Sequence, residues 1–170
     1  MVLGMYKVYQ KIILACLLLV MTGTVYSQRV TQTINDGWKF SLFEGDASTA
    51  DFDISGWTDV SIPHTWNAKD ADDEIPGYFR GKGWYRKVVT VEELIPEQRV
   101  YLSFEGANQE TNVFVNGTFV GNHKGGYSAF TFDVTDYVHA GRNLIAVSVD
   151  NSHHPDIAPL SADFTFFGGI

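Results

Sequence analysis

Few side chains in this sequence have the type and spacing that chemistry needs. His153, His154 and Asp156 could suggest a metal site. Adjacent residues of an extended segment point to opposite sides, so the two imidazoles are poorly placed to share one ion, and a structural or supporting role is expected. The acidic run Asp70, Asp72, Asp73 and Glu74 lacks the glycine and spacing of a calcium loop and reads as a solvated turn. Glu44, Glu74, Glu92, Glu93, Glu97, Glu105 and Glu110 fall in loops, turns or strand ends, with no pairing suited to acid–base work. None of them is assigned as catalytic. Asn116-Gly-Thr118 fits a glycosylation acceptor, but a turn explains it equally well.

The elements that would position any site are short strands. Aromatic residues make up 14% of the chain and sixteen glycines are spread along it, a mixture that suits strands and tight turns over long helices. Alternating or β-rich segments occur at 38–42, 57–62, 84–91, 99–104, 111–115, 118–120, 128–132 and 143–149, separated by Gly, Asn, Pro and Asp. Asn116-Gly117 between two apolar runs predicts a two-residue hairpin with positive φ at both positions. Residues 44–56 read as a polar loop and 64–82 as a long irregular stretch of the kind that is functional or mobile. Only 134–140 could make a helical turn. The fold class this predicts is all-β, a sandwich or jelly roll.

Residues 1–27 read as a signal peptide, with Lys7 and Lys11 before the apolar run 12–21 and Val25 and Ser27 before a cut. Export follows, to the periplasm or the cell exterior. The run is about ten residues against the roughly 20 that span a bilayer. Cys16 is the only cysteine, so after cleavage neither disulfides nor thiolate chemistry operates. Ten basic residues then face twenty acidic ones, a balance that disfavours nucleic acid and anionic lipid surfaces but sets no barrier to a neutral ligand. The organisation expected is 1–27 signal peptide, 28–150 sandwich and 151–170 an exit segment, whose apolar end suggests a polypeptide that continues past Ile170.

In order along the chain, Asp36-Gly-Trp-Lys-Phe40, Val60-Ser-Ile-Pro-His-Thr-Trp66, Gly83-Trp-Tyr-Arg-Lys87, Phe104-Glu-Gly-Ala107, Val113-Phe-Val-Asn-Gly117, Gly125-Gly-Tyr-Ser-Ala-Phe130, Asp133-Val-Thr-Asp136 and Asn143-Leu-Ile-Ala-Val147 form a recognisable series. Over 34–170 it resembles the sugar-binding N-terminal domain of family 2 glycoside hydrolases, the β-galactosidase and β-glucuronidase group. The resemblance implies a galactose-binding-domain-like jelly roll, followed in the family by an immunoglobulin-like domain and a catalytic barrel. It also implies retaining hydrolysis of β-glycosides by two glutamates of that barrel, none of whose surrounding motifs occurs in 28–170.

Two site residues come from the resemblance. Asp163 matches the aspartate with which β-galactosidases of the family touch sugar hydroxyls and, in some members, a monovalent cation; otherwise it is a loop-capping carboxylate. Arg80 stands where some members carry a substrate-contacting asparagine, a departure that leaves the sugar open. Its fork of donors suits a hydroxyl or the carboxylate of a uronide, and the alternative is a solvated loop cation. Trp66, Tyr78, Phe79 and Trp84 could stack on sugar rings; strand alternation favours the core for Trp84 and leaves Tyr78 and Phe79 open. The expected partners are a β-glycoside and the downstream domains of the same gene product, with no other cofactor. A free-standing secreted carbohydrate-binding module is the alternative function, and a purely structural sandwich a third.

Overall fold

The computed structural model describes residues 11–14, 29–70, 77–158, 160–161 and 166–170. Most of the expected signal peptide, with Cys16, together with Asp72, Asp73, Glu74 and Asp163, lies outside the described residues. Contacts divide the chain into a unit of residues 1–33 and a unit of residues 34–170.

Among the described residues there are eight strands, β1 Trp38–Leu42, β2 Thr58–Val60, β3 Lys82–Val91, β4 Tyr101–Phe104, β5 Glu110–Val115, β6 Thr118–Lys124, β7 Phe130–Asp133 and β8 Gly141–Asp150. A 3₁₀ turn at Thr135–Tyr137 is the helical element of the second unit's described residues. The large sheet runs β2-β1-β3-β8-β5-β6, with antiparallel pairing throughout, and β4 pairs with β7 in a second, small sheet. Its spine is the ladder from Lys82↔Asp150 to Val91↔Gly141. Leu102 and Phe104 of the small sheet join Trp38, Phe40, Tyr85, Val113, Val147 and Val149 of the large one in a single buried cluster, which makes the sandwich.

The hairpin is as the sequence predicts. Val115 pairs with Thr118, and Asn116 and Gly117 have φ of 53° and 81°. The Asn116 amide donates to Tyr137 O and Asn143 Oδ1 and accepts from the Leu144 N–H, so the turn uses the whole side chain. Downstream, β5 and β6 slip register between Val113 and Phe114, where Gly121 lets the Phe132 ring come within 2.4 Å of where a Cβ would sit.

The segment 44–56 departs from the polar loop expected. Ala47 and Ser48 are buried, and with Phe52 and Trp57 this stretch covers the outer face of the large sheet over Trp84 and Ala146. Residues 83–86, in the first half of β3, are therefore buried on both faces. The cover is tied down by Trp84 Nε1 donating to Gly45 O at 3.1 Å and Arg86 Nη2 donating to Thr49 O at 2.8 Å, with Phe52 beneath the guanidinium. Burial pulls the Arg86 pKa down, opposed by the nearby Asp51 carboxylate. Arg86→Met keeps length and loses the hydrogen bonds, so it should cost about 1–3 kcal/mol in urea denaturation. Hydrogen exchange should accelerate at residues 45–55 while the β3–β8 ladder stays protected; equal acceleration in both would show that Arg86 does not hold the cover specifically.

Candidate functional site

At one end of the sandwich the chain leaves regular structure in several places: after β2, before β3, before β5 and after β8. Backbone groups there have no ladder partners and must find others. Two buried amides supply most of them. Asn67, 1% exposed, donates through Nδ2 to Phe79 O at 2.8 Å and Asp70 Oδ2 at 2.7 Å, while its Oδ1 accepts from Gly168 N at 2.6 Å. Asn151, fully buried, accepts from Gly81 N at 2.8 Å and donates to Phe166 O at 2.9 Å and Phe79 O at 3.2 Å. The two amides also meet, Asn151 Nδ2 to Asn67 Oδ1 at 3.4 Å.

This network pulls Phe166–Ile170 onto the rim. Gly169 bridges both Thr65 and Asn108, His64 N donates to Ile170 O at 2.8 Å, Ile170 N returns to His64 O at 3.1 Å, and Asn108 Nδ2 donates to Phe167 O at 2.7 Å. The approach needs glycine. A Cβ on Gly168 would lie 1.8 Å from the Trp66 indole, and one on Gly169, at φ 145°, would lie 2.0 Å from His64 O. Between Pro63–His64–Thr65 and Phe167–Gly168–Gly169–Ile170 lies a cleft of about 280 Å³.

His64 is oriented from below. Its Nδ1 lies 2.8 Å from the hydroxyl of Tyr85, which is fully buried. Burial pushes the Tyr85 phenol far above its ordinary range, offset in part by the Ile170 backbone amide, so the hydroxyl keeps its proton. The same hydroxyl lies 3.5 Å from His64 O, so Tyr85 contacts both the ring and the backbone of His64. Burial also lowers the His64 pKa, because the imidazolium would lose hydration.

Arg80 is half-buried. Its guanidinium lies over the Tyr78 ring at 5.3 Å and the Phe166 ring at 5.2 Å, and Nε is buried with no hydrogen-bond partner. Tyr78 completes the clamp by accepting from Phe166 N at 3.1 Å and meeting Phe167 edge-on. Phe79, the next residue, is exposed. Trp84 is buried, as its strand position predicts, and Trp66 lies stacked on Phe40 under Gly168, where it forms the floor of the rim. His154 Nδ1 accepts from the Asp156 N–H within a local turn.

The sequence reading passed over Asn67, Asn108, Asn151, His64 and Tyr85. One signal was present for Asn151. Asn143, Ile145, Val147 and Val149 alternate inward along β8, and Asn151 holds the next inward position, which marks a buried amide needing partners.

Comparison with known proteins follows the same residues. A family model described as "Glycosyl hydrolases family 2, sugar binding domain" matches residues 31–169. A putative β-glucuronidase of Formosa agariphila is 36% identical over 168 residues, covering 95% of this chain and 20% of that protein. A β-galactosidase of Thermoanaerobacter pseudethanolicus is 40% identical over 151 residues, covering 83% and 18%. Bacteroides uniformis β-glucuronidase 2, solved covalently bound to cyclophellitol-6-carboxylate aziridine, superposes with a TM-score of 0.77 at 46% identity, over 84% of this chain and 17% of that one. The chain thus spans about a fifth of the length of the curated relatives it matches.

Two outcomes are expected. Asn151→Ala removes the acceptor for Gly81 N–H and both donors to the buried Phe79 and Phe166 carbonyls, so chemical denaturation should show a loss on the order of 3 kcal/mol; a loss below about 1 kcal/mol would mean water replaces the amide. For His64 the folded pKa lies below the unfolded value of 6.5, so as pH falls through 6.5 the unfolded chain takes up the proton first. The stability His64 contributes is complete above that pH and lost as pH falls toward the folded value. Melting temperature should therefore drop more between pH 7.5 and 5 for the natural chain than for His64→Gln, and parallel curves would show that His64 does not titrate differently on unfolding.

Proposed function

Because the chain belongs to glycoside hydrolase family 2 through that family's sugar-binding domain, we propose that it frames the sugar site of a β-glycosidase without carrying the reacting carboxyls. The observation that carries this reading is the rim. Phe166 rests on Arg80, and the segment it opens is sealed to His64, Thr65 and Asn108, which gives a rigid edge suited to shaping one wall of a pocket. Asp163 precedes Phe166 by three residues, a chain reach of no more than about 10 Å. In this reading Asp163 accepts hydrogen bonds from sugar hydroxyls, with a monovalent cation as a further ligand in the complete enzyme, and Arg80 lies on the same side of the sugar.

The names of the relatives support a β-glucuronide or β-galactoside as substrate. The two glutamates of a retaining hydrolysis would come from a catalytic barrel, which in the family follows an immunoglobulin-like domain downstream of this one. The charged start and short apolar run of residues 1–27 support export of the product. Relatives named as enzymes favour this reading over a free-standing carbohydrate-binding module.

The test uses the polypeptide read from the gene past Ile170. Asp163→Ala should lower kcat/KM on chromogenic β-glycosides by roughly 10- to 1000-fold with the melting temperature unchanged, as for loss of a charge-assisted hydrogen bond strengthened in the transition state. Asp163→Asn should recover part of that loss if hydroxyls are read and little if a cation is. Unchanged kinetics with a lowered melting temperature would make Asp163 a loop cap and sink its assignment to the sugar.

A further inference from the structure

We propose that Asn116 is a self-modification site held closed by its hairpin: when the turn opens, the Gly117 nitrogen and water convert the side-chain amide to a carboxylate, after which the turn cannot relock. The inference does not depend on the sugar site, because Asn116 lies past the Val115 end of the β5–β8 ladder and the rim lies past the Glu110–Asp150 end.

Asn116-Gly117 is the one Asn-Gly pair in the sequence. A glycine has no side chain to shield its nitrogen or restrict its backbone, so an asparagine before it is open to cyclisation. The Gly117 N–H gives up its proton, its nitrogen bonds to Asn116 Cγ, and the Cγ–Nδ2 bond breaks to release ammonia. Water then opens the cyclic imide at either carbonyl. The products are an aspartate and its isomer, in which the main chain runs through the former side-chain carbonyl. Water is consumed and ammonia released, with no change in oxidation state. Asn116 is exposed, so water reaches it.

Three side-chain hydrogen bonds oppose the rotation that cyclisation needs. Oδ1 accepts from Leu144 N at 2.9 Å, and Nδ2 donates to Tyr137 O at 2.8 Å and to Asn143 Oδ1 at 2.9 Å. With Asn116 N donating to Leu144 O at 2.8 Å, the Oδ1 bond carries the β5–β8 ladder one step past its last pair, Val115 with Ile145. Reaction therefore requires the turn to open. A carboxylate formed there can keep Leu144, but its second oxygen meets two acceptors, the Tyr137 carbonyl and Asn143 Oδ1. Asn143 cannot flip to offer its nitrogen, because Nδ2 serves His139 O at 2.7 Å and Gly141 O at 3.1 Å while Oδ1 takes the His139 N–H at 2.9 Å. At 1% exposed, it has little room for a mediating water. The isomer also lengthens the main chain in a two-residue turn whose flanking residues, Val115 and Thr118, pair directly.

The experiment incubates the full chain at mildly alkaline pH beside a synthetic peptide of residues 113–120, and reads conversion at Asn116 by peptide mapping. Conversion should be about 100-fold slower in the chain than in the peptide, the factor for an opening free energy of about 2.7 kcal/mol. Urea below the unfolding transition should raise the rate in step with hydrogen exchange at the Leu144 N–H, which reports the same opening. Asn116→Asp supplies one product directly. It should melt below Asn116→Gly, which loses the same side-chain bonds, suits the φ of 53° and brings no carboxylate. Equal rates in chain and peptide would overturn the inference, as would conversion at another asparagine ahead of Asn116. So would a rate that does not follow Leu144 exchange, or an Asn116→Asp chain that melts with or above Asn116→Gly.

Discussion

The contact between the buried amides of Asn67 and Asn151 is the constraint on which the rest of the rim depends. Segments 61–70, 77–81 and 166–170 carry little regular structure in the described residues, so their backbone donors and acceptors lack ladder partners. An asparagine offers two donors and a two-lone-pair acceptor on a short stem, and two placed face to face can serve several strands of loop at once. Here they serve Gly81, Gly168, Phe79 and Phe166. Such a network stabilises only when nearly complete, because a buried amide that loses one partner keeps the full desolvation cost of the other groups. The rim therefore behaves as one unit, and its loops owe their order to amide chemistry more than to apolar burial.

Strands such as β4 and β5 were legible because they read on one face of the sandwich, where alternation reports burial directly, and the central β3 and β8 because their runs are rich in β-formers. The cover at 44–56 was not, and the reason is compositional. Its buried residues are Ala47 and Ser48, which carry almost no apolar signal, and what they bury against is Trp84 and Ala146 on a face that the alternation of β3 left unresolved. Arg80 was reached through family resemblance, but its clamp was not visible, since Phe166 comes from the far end of the chain and arrives only when Gly168 and Gly169 let the backbone lie on Trp66 and His64. Asn151 could have been read by extending the inward row of β8 by one step, whereas nothing local distinguishes Asn67 from an ordinary loop amide.

The same inward row ends in asparagine at both limits. Asn143 donates to His139 O and Gly141 O and accepts from His139 N and the Asn116 amide, so it organises the hairpin end as Asn151 organises the rim. Between them Ile145, Val147 and Val149 are apolar and buried. A strand of this design fixes its own register, since a slip of one residue would put the valines where the small Ala146 and Ser148 are packed and a slip of two would drive one amide into the apolar core without partners. The register of β8 is in turn what sets Asn151 against Gly81 through the β3–β8 ladder.

That coupling explains how a β-sandwich can hold an edge made mostly of loop. The ladder fixes Asn151 and Tyr85; Asn151 fixes Phe166 and Tyr85 orients His64; and His64, through its backbone, closes on Ile170. Phe166–Ile170 is thus held from both ends, by an amide at its first carbonyl and by paired backbone groups at its last residue. The one segment supplies the second ring of the Arg80 clamp and a wall of the cleft, so the cation and the cleft cannot be positioned independently of each other. Among the described residues, Arg80 Nε and the Trp66 Nε1 of the rim floor are both buried without a hydrogen-bond partner, so the amide network does not reach every buried donor at this end.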